Sequence, residues 1–290
     1  MSDDSSYKPK RMPRPGRLAV RGVDYAVTEW GDEHAPLMIF LHGFADSGST
    51  FQFVVDAFEN DWHVVAPDWR GFGDTHVETT AFWFPDYLAD LDQLLNHYCG
   101  NAPARLIGHS MGGNIAGLYA GAFPERVAAL INLEGFGLQD ATPDDAPSRY
   151  RDWITQGRDL PERTVRDNFD ALAQAIRQRS PNMTAEQAAY VARCWAVAAN
   201  DGSIRLNLHP AHNLPNAVLY RRAEAEACWR EVTADVLLVA GRDSGFGSAE
   251  NLPYPRRQTV WIENSGHMLH FEQPVALARS IEEFLRKPST

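Results

Sequence analysis

Apolar residues fall along this chain in short runs that end at a glycine or a polar turn, separated by stretches with helical periodicity. LMIFLHG (37–43), HVVAPD (63–68), ARLIGHS (104–110), RVAALINLEG (126–135), ADVLLVAG (234–241) and QTVWIEN (258–264) are runs of this kind. Short continuous apolar segments closed by turn residues suit strands covered on both faces. Residues 17–21 and 23–30 flank Gly22 and predict an opening antiparallel pair. Helical spacing occupies 86–98, 111–122, 223–231 and 273–286. Strands alternating with helices predict a mostly parallel sheet with helices on both faces.

One stretch breaks the alternation. Between 137 and 222 no central strand is legible, and Pro-punctuated helical segments such as ERTVRDNFDALAQAIRQRS and TAEQAAYVARCWAVAA take over. An all-helical insertion between two strands reads as a cap over the C-terminal edge of the sheet, where open α/β folds bind ligands. The organisation expected is therefore a core domain from 17–136 and 223–290, with a helical cap at 137–222. Residues 1–16 are polar and proline-rich and read as a flexible tail.

Composition narrows the partners. A formal net charge of −11 over 290 residues argues against nucleic acid and anionic membrane surfaces, which a broadly acidic protein repels. Cys99, Cys194 and Cys228 form no CxxC pair and no Cys/His cluster, so they read as reduced thiols. No stretch reaches the roughly 18 apolar residues of a membrane span, and the N-terminal segment lacks the apolar core of a secretory signal. The expected location is the cytoplasm. The composition leaves the oligomeric state and the substrate open.

The chemistry begins at LIGHSMGG. Gly108-His109-Ser110-Met111-Gly112 matches G-x-S-x-G, with an apolar strand before it and a helix after it. A nucleophile on such a turn stands at a helix N-terminus, whose backbone N–H groups face a developing oxyanion. Strand, elbow and helix together resemble the α/β-hydrolase superfamily, and the resemblance runs from about residue 17 to the end. It implies an α/β-hydrolase fold with an eight-stranded, mostly parallel sheet and a cap after the sixth strand. Ser110 would be the nucleophile. It also implies an oxyanion hole from the backbone N–H groups of Phe44, in His42-Gly43-Phe44, and Met111. In that loop His42 is expected to hold the turn rather than to react. The segment DWRGFGDT (68–75) resembles the superfamily's D-x-R-G-x-G-x-S loop, where Asp68 and Arg70 are expected to form a buried pair.

His267, in ENSGHMLHFEQP, stands where the superfamily carries its catalytic base, and His270 reads as a surface or packing residue. The acid is less regular. Most of the superfamily places it in a G-x-x-D loop, but VAGRDSGF puts Ser244 at that place and Asp243 one residue early. Glu134, in INLEGFG, closes the sixth strand, where haloalkane dehalogenases carry their acid. Glu134 is the favoured acid and Asp243 the alternative. Dehalogenases and epoxide hydrolases attack with Asp, whereas this chain has Ser, so acyl transfer through a serine ester is the implied reaction. A carboxylesterase-like hydrolase of a small, apolar ester-like substrate is the leading function. Hydrolysis of a carbon–carbon bond in ring-cleavage diketones, a cofactor-free perhydrolase, and a ligand-binding receptor on the same fold are the alternatives. Trp83, Phe84, Phe136, Trp153 and Trp195 are candidate pocket residues. No cofactor is expected, and no histidine spacing suggests a metal.

Overall fold

In the computed structural model, which describes residues 7–160, 165–246 and 249–286, the apolar runs form the middle of a sheet. The strands are β1 (Arg14–Val20), β2 (Val23–Trp30), β3 (Leu37–Leu41), β4 (His63–Pro67), β5 (Ala104–His109) and β6 (Val127–Leu133). They continue with β10 (Asp235–Gly241) and β11 (Arg257–Ile262), while β7 (Val165–Arg166), β8 (Ala196–Ala198) and β9 (Ile204–Leu206) lie outside this sheet. The order across the eight strands is β1-β2-β4-β3-β5-β6-β10-β11. The pairs β1/β2 and β2/β4 are antiparallel, and every pairing from β4 to β11 is parallel. This is the fold class the sequence predicts.

Why both faces are apolar follows from the period of two. In β3, Ile39 and Leu41 enter one core while Met38 and Phe40 enter the other. In β10, Val236, Leu238 and Ala240 face the first core, and Leu237 and Val239 face the second. The first face is covered by α2 (Pro85–Cys99), α3 (Met111–Ala122) and α7 (Arg222–Glu231). The second is covered by α1 (Gln52–Ala57), α8 (Leu269–Glu272) and α9 (Pro274–Arg286). Both α1 and α8 escape the sequence pattern, because fewer than two turns give no periodicity to read.

Residues 137–222 do carry helices: α4 (Ala146–Gln156), α5 (Phe169–Arg179) and α6 (Ala185–Trp195). They are not all helical, and that expectation is corrected. The short strands β7 (Val165–Arg166), β8 (Ala196–Ala198) and β9 (Ile204–Leu206) form an antiparallel sheet in the order β7-β9-β8. Two or three residues are too few to show an alternation. The apolar stripe of α5 and α6 packs with Phe53 of α1 and Phe271 of α8, which seats the insertion on the core.

The N-terminal expectation also needs correction. Residues 1–6 lie outside the described residues, but the chain from Tyr7 is held. The Tyr7 hydroxyl and the Arg11 backbone N–H both donate to Asp56, at 2.8 and 2.7 Å, and the Tyr7 ring packs edge-on against Phe53. The polar composition of this segment masked a docking made by the Tyr7 ring, the Asp56 carboxylate and the hydrogen bonds of Arg11 with Phe58, Asn60 and Gln52. Among the described residues no helix is long and apolar enough to cross a membrane.

Candidate active site

Ser110 sits between β5 and α3 with φ 50°, a left-handed conformation that costs a non-glycine residue energy. The turn is tight on both sides. A Cβ at Gly108 would run into the backbone of Gly112, and one at Gly112 would fall on the Leu41 carbonyl. Glycine is therefore required at both positions by close approach, and Ser110 is fixed by its own N–H donating to the Leu133 carbonyl at 2.8 Å. The Ser110 hydroxyl lies 3.1 Å from His267 Nε2.

The other imidazole nitrogen, His267 Nδ1, lies 3.4 Å from the Glu134 carboxylate. Glu134 follows β6 with φ 59°, a second strained residue. The turn beneath it is closed by Asn132, whose side chain both donates to the Gly135 carbonyl and accepts the Gly135 N–H, each at 2.8 Å. The carboxylate is almost fully buried and is not left alone. It accepts the Gly241 N–H and the Ser244 hydroxyl, both at 2.7 Å. Three donors thus converge on Glu134, which offsets the cost of burying the charge.

Asp243 makes no hydrogen bond to His267 among the described residues. It is exposed, its backbone N–H donates to the Ser265 carbonyl, and among the described residues its carboxylate has no hydrogen bond. Ser244, one residue on, occupies the superfamily's usual acid position and holds Glu134 instead. The structure brings Ser110, His267 and Glu134 together and leaves Asp243 outside.

Phe44 and Met111 follow β3 and Ser110, as the elbow requires. Neither backbone N–H donates to a protein acceptor among the described residues, so both are free for a ligand oxygen. His42 is fully buried. Its Nδ1–H donates to the Gly43 carbonyl at 2.7 Å and its Nε2 accepts the Trp69 N–H at 2.8 Å. Those two bonds demand the neutral ring, and burial pulls its pKa from 6.5 down to about 4. A base whose folded pKa is depressed stabilises the fold fully above its unfolded value, and that stability drains as pH falls through the folded one. We expect Tm to drop between about pH 6.5 and 4, with His42 contributing on the order of 3 kcal/mol to the loss. His42→Gln should melt lower at pH 7 but fall less steeply towards pH 4. Parallel slopes in thermal melts would show that His42 titrates normally.

Two further expectations meet the structure differently. Asp68 and Arg70 do not pair. Asp68 accepts the N–H groups of Gly48 and Asp74, and burial raises its pKa to about 7, while Arg70 makes two 2.6 Å bonds to Asp90. His270 is not at the surface but fully buried, 3.3 Å from Asp46. With His109 and Asp46 it forms a group whose ligand-type atoms lie within 4.8 Å of one another, a proximity that no spacing in the chain announces. The Asp46 carboxylate also accepts bonds from Ser47, Thr50 and Trp195, so the group reads as a hydrogen-bonded network.

Two cavities meet at Phe44. One, of about 410 Å³, includes His267 and Trp195, and the other, of about 350 Å³, includes Met111, Trp83, Phe84 and Trp153. Phe136 lines neither. It is packed into the core beside α7, and its carbonyl accepts an Arg222 bond at 2.7 Å.

Four residues at the site escape sequence reading. Phe246 stacks on His267 with ring centroids 3.9 Å apart. Ser244 accepts the Phe246 N–H at 3.2 Å as well as holding Glu134. His109 Nε2–H donates to the His267 carbonyl at 2.9 Å, and Asn132 shapes the Glu134 turn. Only Ser244 carries a signal, as a donor where the superfamily has a carboxylate.

A family model described as the alpha/beta hydrolase fold matches residues 36–274. A serine hydrolase-like protein of Danio rerio is 27% identical over 277 residues, 90% of this chain and 84% of that protein. A putative 2-succinyl-6-hydroxy-2,4-cyclohexadiene-1-carboxylate synthase of Bacillus subtilis (strain 168) is 28% identical over 279 residues, 91% and 95% of the two. Among solved structures, a thioesterase domain from the curacin biosynthetic pathway superposes with a TM-score of 0.84 at 22% identity. That match covers 94% of this chain and 99% of the domain, a likeness of fold. Because the family match spans the sheet from β3 to β11 together with the loops that carry Ser110, Glu134 and His267, the chain belongs to the alpha/beta hydrolase fold family and is a hydrolase.

Proposed function

We propose that the chain hydrolyses an ester-like acyl compound through a Ser110 acyl-enzyme, with His267 as base and Glu134 as acid. The observation that carries this is the hydrogen-bonded row from the Ser110 hydroxyl through the His267 ring to the Glu134 carboxylate. The zebrafish relative's description as serine hydrolase-like agrees in kind.

The steps follow from the row. Ser110 Oγ attacks the carbonyl carbon while its proton passes to His267 Nε2. The N–H groups of Phe44 and Met111 stabilise the resulting oxyanion. Collapse breaks the bond to the leaving group, which takes the proton from His267 and departs as the alcohol. Water then attacks the acyl-Ser110 ester and gives a proton to His267. The second collapse releases the carboxylic acid and returns the proton to Ser110. Glu134 fixes the tautomer with the proton on Nδ1, and the 3.4 Å contact draws in as the imidazolium forms.

A fluorophosphonate probe tests the reading and separates an enzyme from a receptor that merely kept the fold. The expected result is one adduct, located on Ser110 by peptide mass analysis, formed far more slowly by His267→Ala. An unlabelled protein, or labelling indifferent to His267, would overturn it.

A further inference from the structure

We propose that the acyl compound carries a carboxylate away from its reacting carbonyl, and that Arg166 and Arg179 bind it in the cavity beside His267. This rests on the reading of Ser110 and His267 as the reacting pair.

The two cavities that share Phe44 differ in charge. On the Met111 side the only charged lining residue among the described residues is Asp86, already paired with Arg21 at 3.0 Å. On the His267 side the charged lining residues besides His267 are Asp46, Arg166 and Arg179. Asp46 is 2% exposed, and its oxygens are taken by Ser47, Thr50, Trp195 and His270. Neither arginine has a carboxylate partner among the described residues, whereas Arg21, Arg70 and Arg222 all do. What this cavity offers a ligand is therefore two exposed guanidiniums without a carboxylate partner among the described residues, above an apolar floor.

Position on α5 strengthens the case. Leu172, Ala175, Ile176 and Arg179 all line the cavity, spaced as one face of a helix, so Arg179 continues the stripe of buried Leu172 and Ile176. A basic residue in a last turn is also favoured by the helix dipole, but Arg177 in the same turn meets that need without lining the cavity. Arg166 lines the cavity from β7, where it pairs with Ile204 of β9. In a chain of net charge −11 an anion gains nothing from the overall field, and screening within roughly 8 Å leaves recognition to local cations. Planar guanidinium forks match a carboxylate in both geometry and charge.

The test compares p-nitrophenyl hydrogen glutarate with its neutral methyl ester. The parent should prefer the anionic ester in kcat/KM by about tenfold or more, and Arg166→Met/Arg179→Met should bring that ratio near unity. Arg179→Lys, which keeps the charge but not the fork, should retain part of the preference. A parent without preference, or a double variant with the same ratio, would overturn the proposal. Calorimetry of glutarate on the Ser110→Ala protein decides the matter independently of turnover. Binding should weaken about tenfold when both arginines are lost and should weaken with added salt. Binding unchanged by their loss, or tighter binding of inorganic phosphate than of glutarate, would overturn the carboxylate assignment. If neither ester turns over and the fluorophosphonate fails, the acyl-transfer reading falls, while the glutarate measurement still judges these arginines.

Discussion

Ser110→Ala should lower p-nitrophenyl ester turnover by about 10⁴-fold or more while leaving the melting temperature within a degree or two of the parent. The hydroxyl's hydrogen-bond partner among the described residues is His267 Nε2, so its removal breaks no contact on which the fold depends. The strain at φ 50° is the same for alanine, since both residues carry a Cβ. What is lost is the atom that would attack. The oxyanion donors at Phe44 and Met111 would remain, which sets a floor of residual activity above the rate in water. Turnover within tenfold of the parent, with an unchanged melt, would remove Ser110 as the nucleophile.

How much of this molecule could be read from the chain depended on the length of the pattern. LMIFL and VLLVAG announce buried strands because each residue of the run packs on one face or the other, so no polar position interrupts them. The short elements β7, β8, β9, α1 and α8 hold two to six residues each and owe their form to neighbours rather than to periodicity. The site shows the same division. Ser110, Glu134 and His267 lie at strand ends that glycines mark, and the elbow glycines can be read because backbone would occupy the place of any side chain. Phe246 over His267, and Arg166 and Arg179 in one cavity wall, are brought in by different elements. No local rule brings them together. The supposed Asp68–Arg70 pair failed for a related reason: two residues apart on a loop, each found a better partner elsewhere, Asp68 in backbone N–H groups and Arg70 in Asp90.

Glu134→Gln should lower kcat by about 10³- to 10⁴-fold, and Asp243→Asn by less than about tenfold. The contrast rests on what surrounds each carboxylate. Glu134 receives three donors, from Gly241 N–H, the Ser244 hydroxyl and His267 Nδ1. An amide there must turn its own NH₂ towards one of them. If it faces His267, the ring is held in the tautomer with the proton on Nε2, which blocks acceptance of the Ser110 proton. If it faces Gly241, a buried donor meets a donor at a cost of about 1–3 kcal/mol, and the imidazolium still loses its counter-charge. Some loss of melting temperature is therefore expected with Glu134→Gln, but far too little to explain the fall in rate. Asp243 is exposed and has no hydrogen bond to lose among the described residues, so its amide should change neither quantity much. Reversed costs would move the acid to the loop after β10 and overturn the reading of Glu134. Comparable moderate losses from both, with a double variant far worse than their product, would mean that either carboxylate reaches His267. The geometry favours the first outcome, because Ser244 stands at the position where the loop after β10 would supply an acid and its hydroxyl is already spent on Glu134.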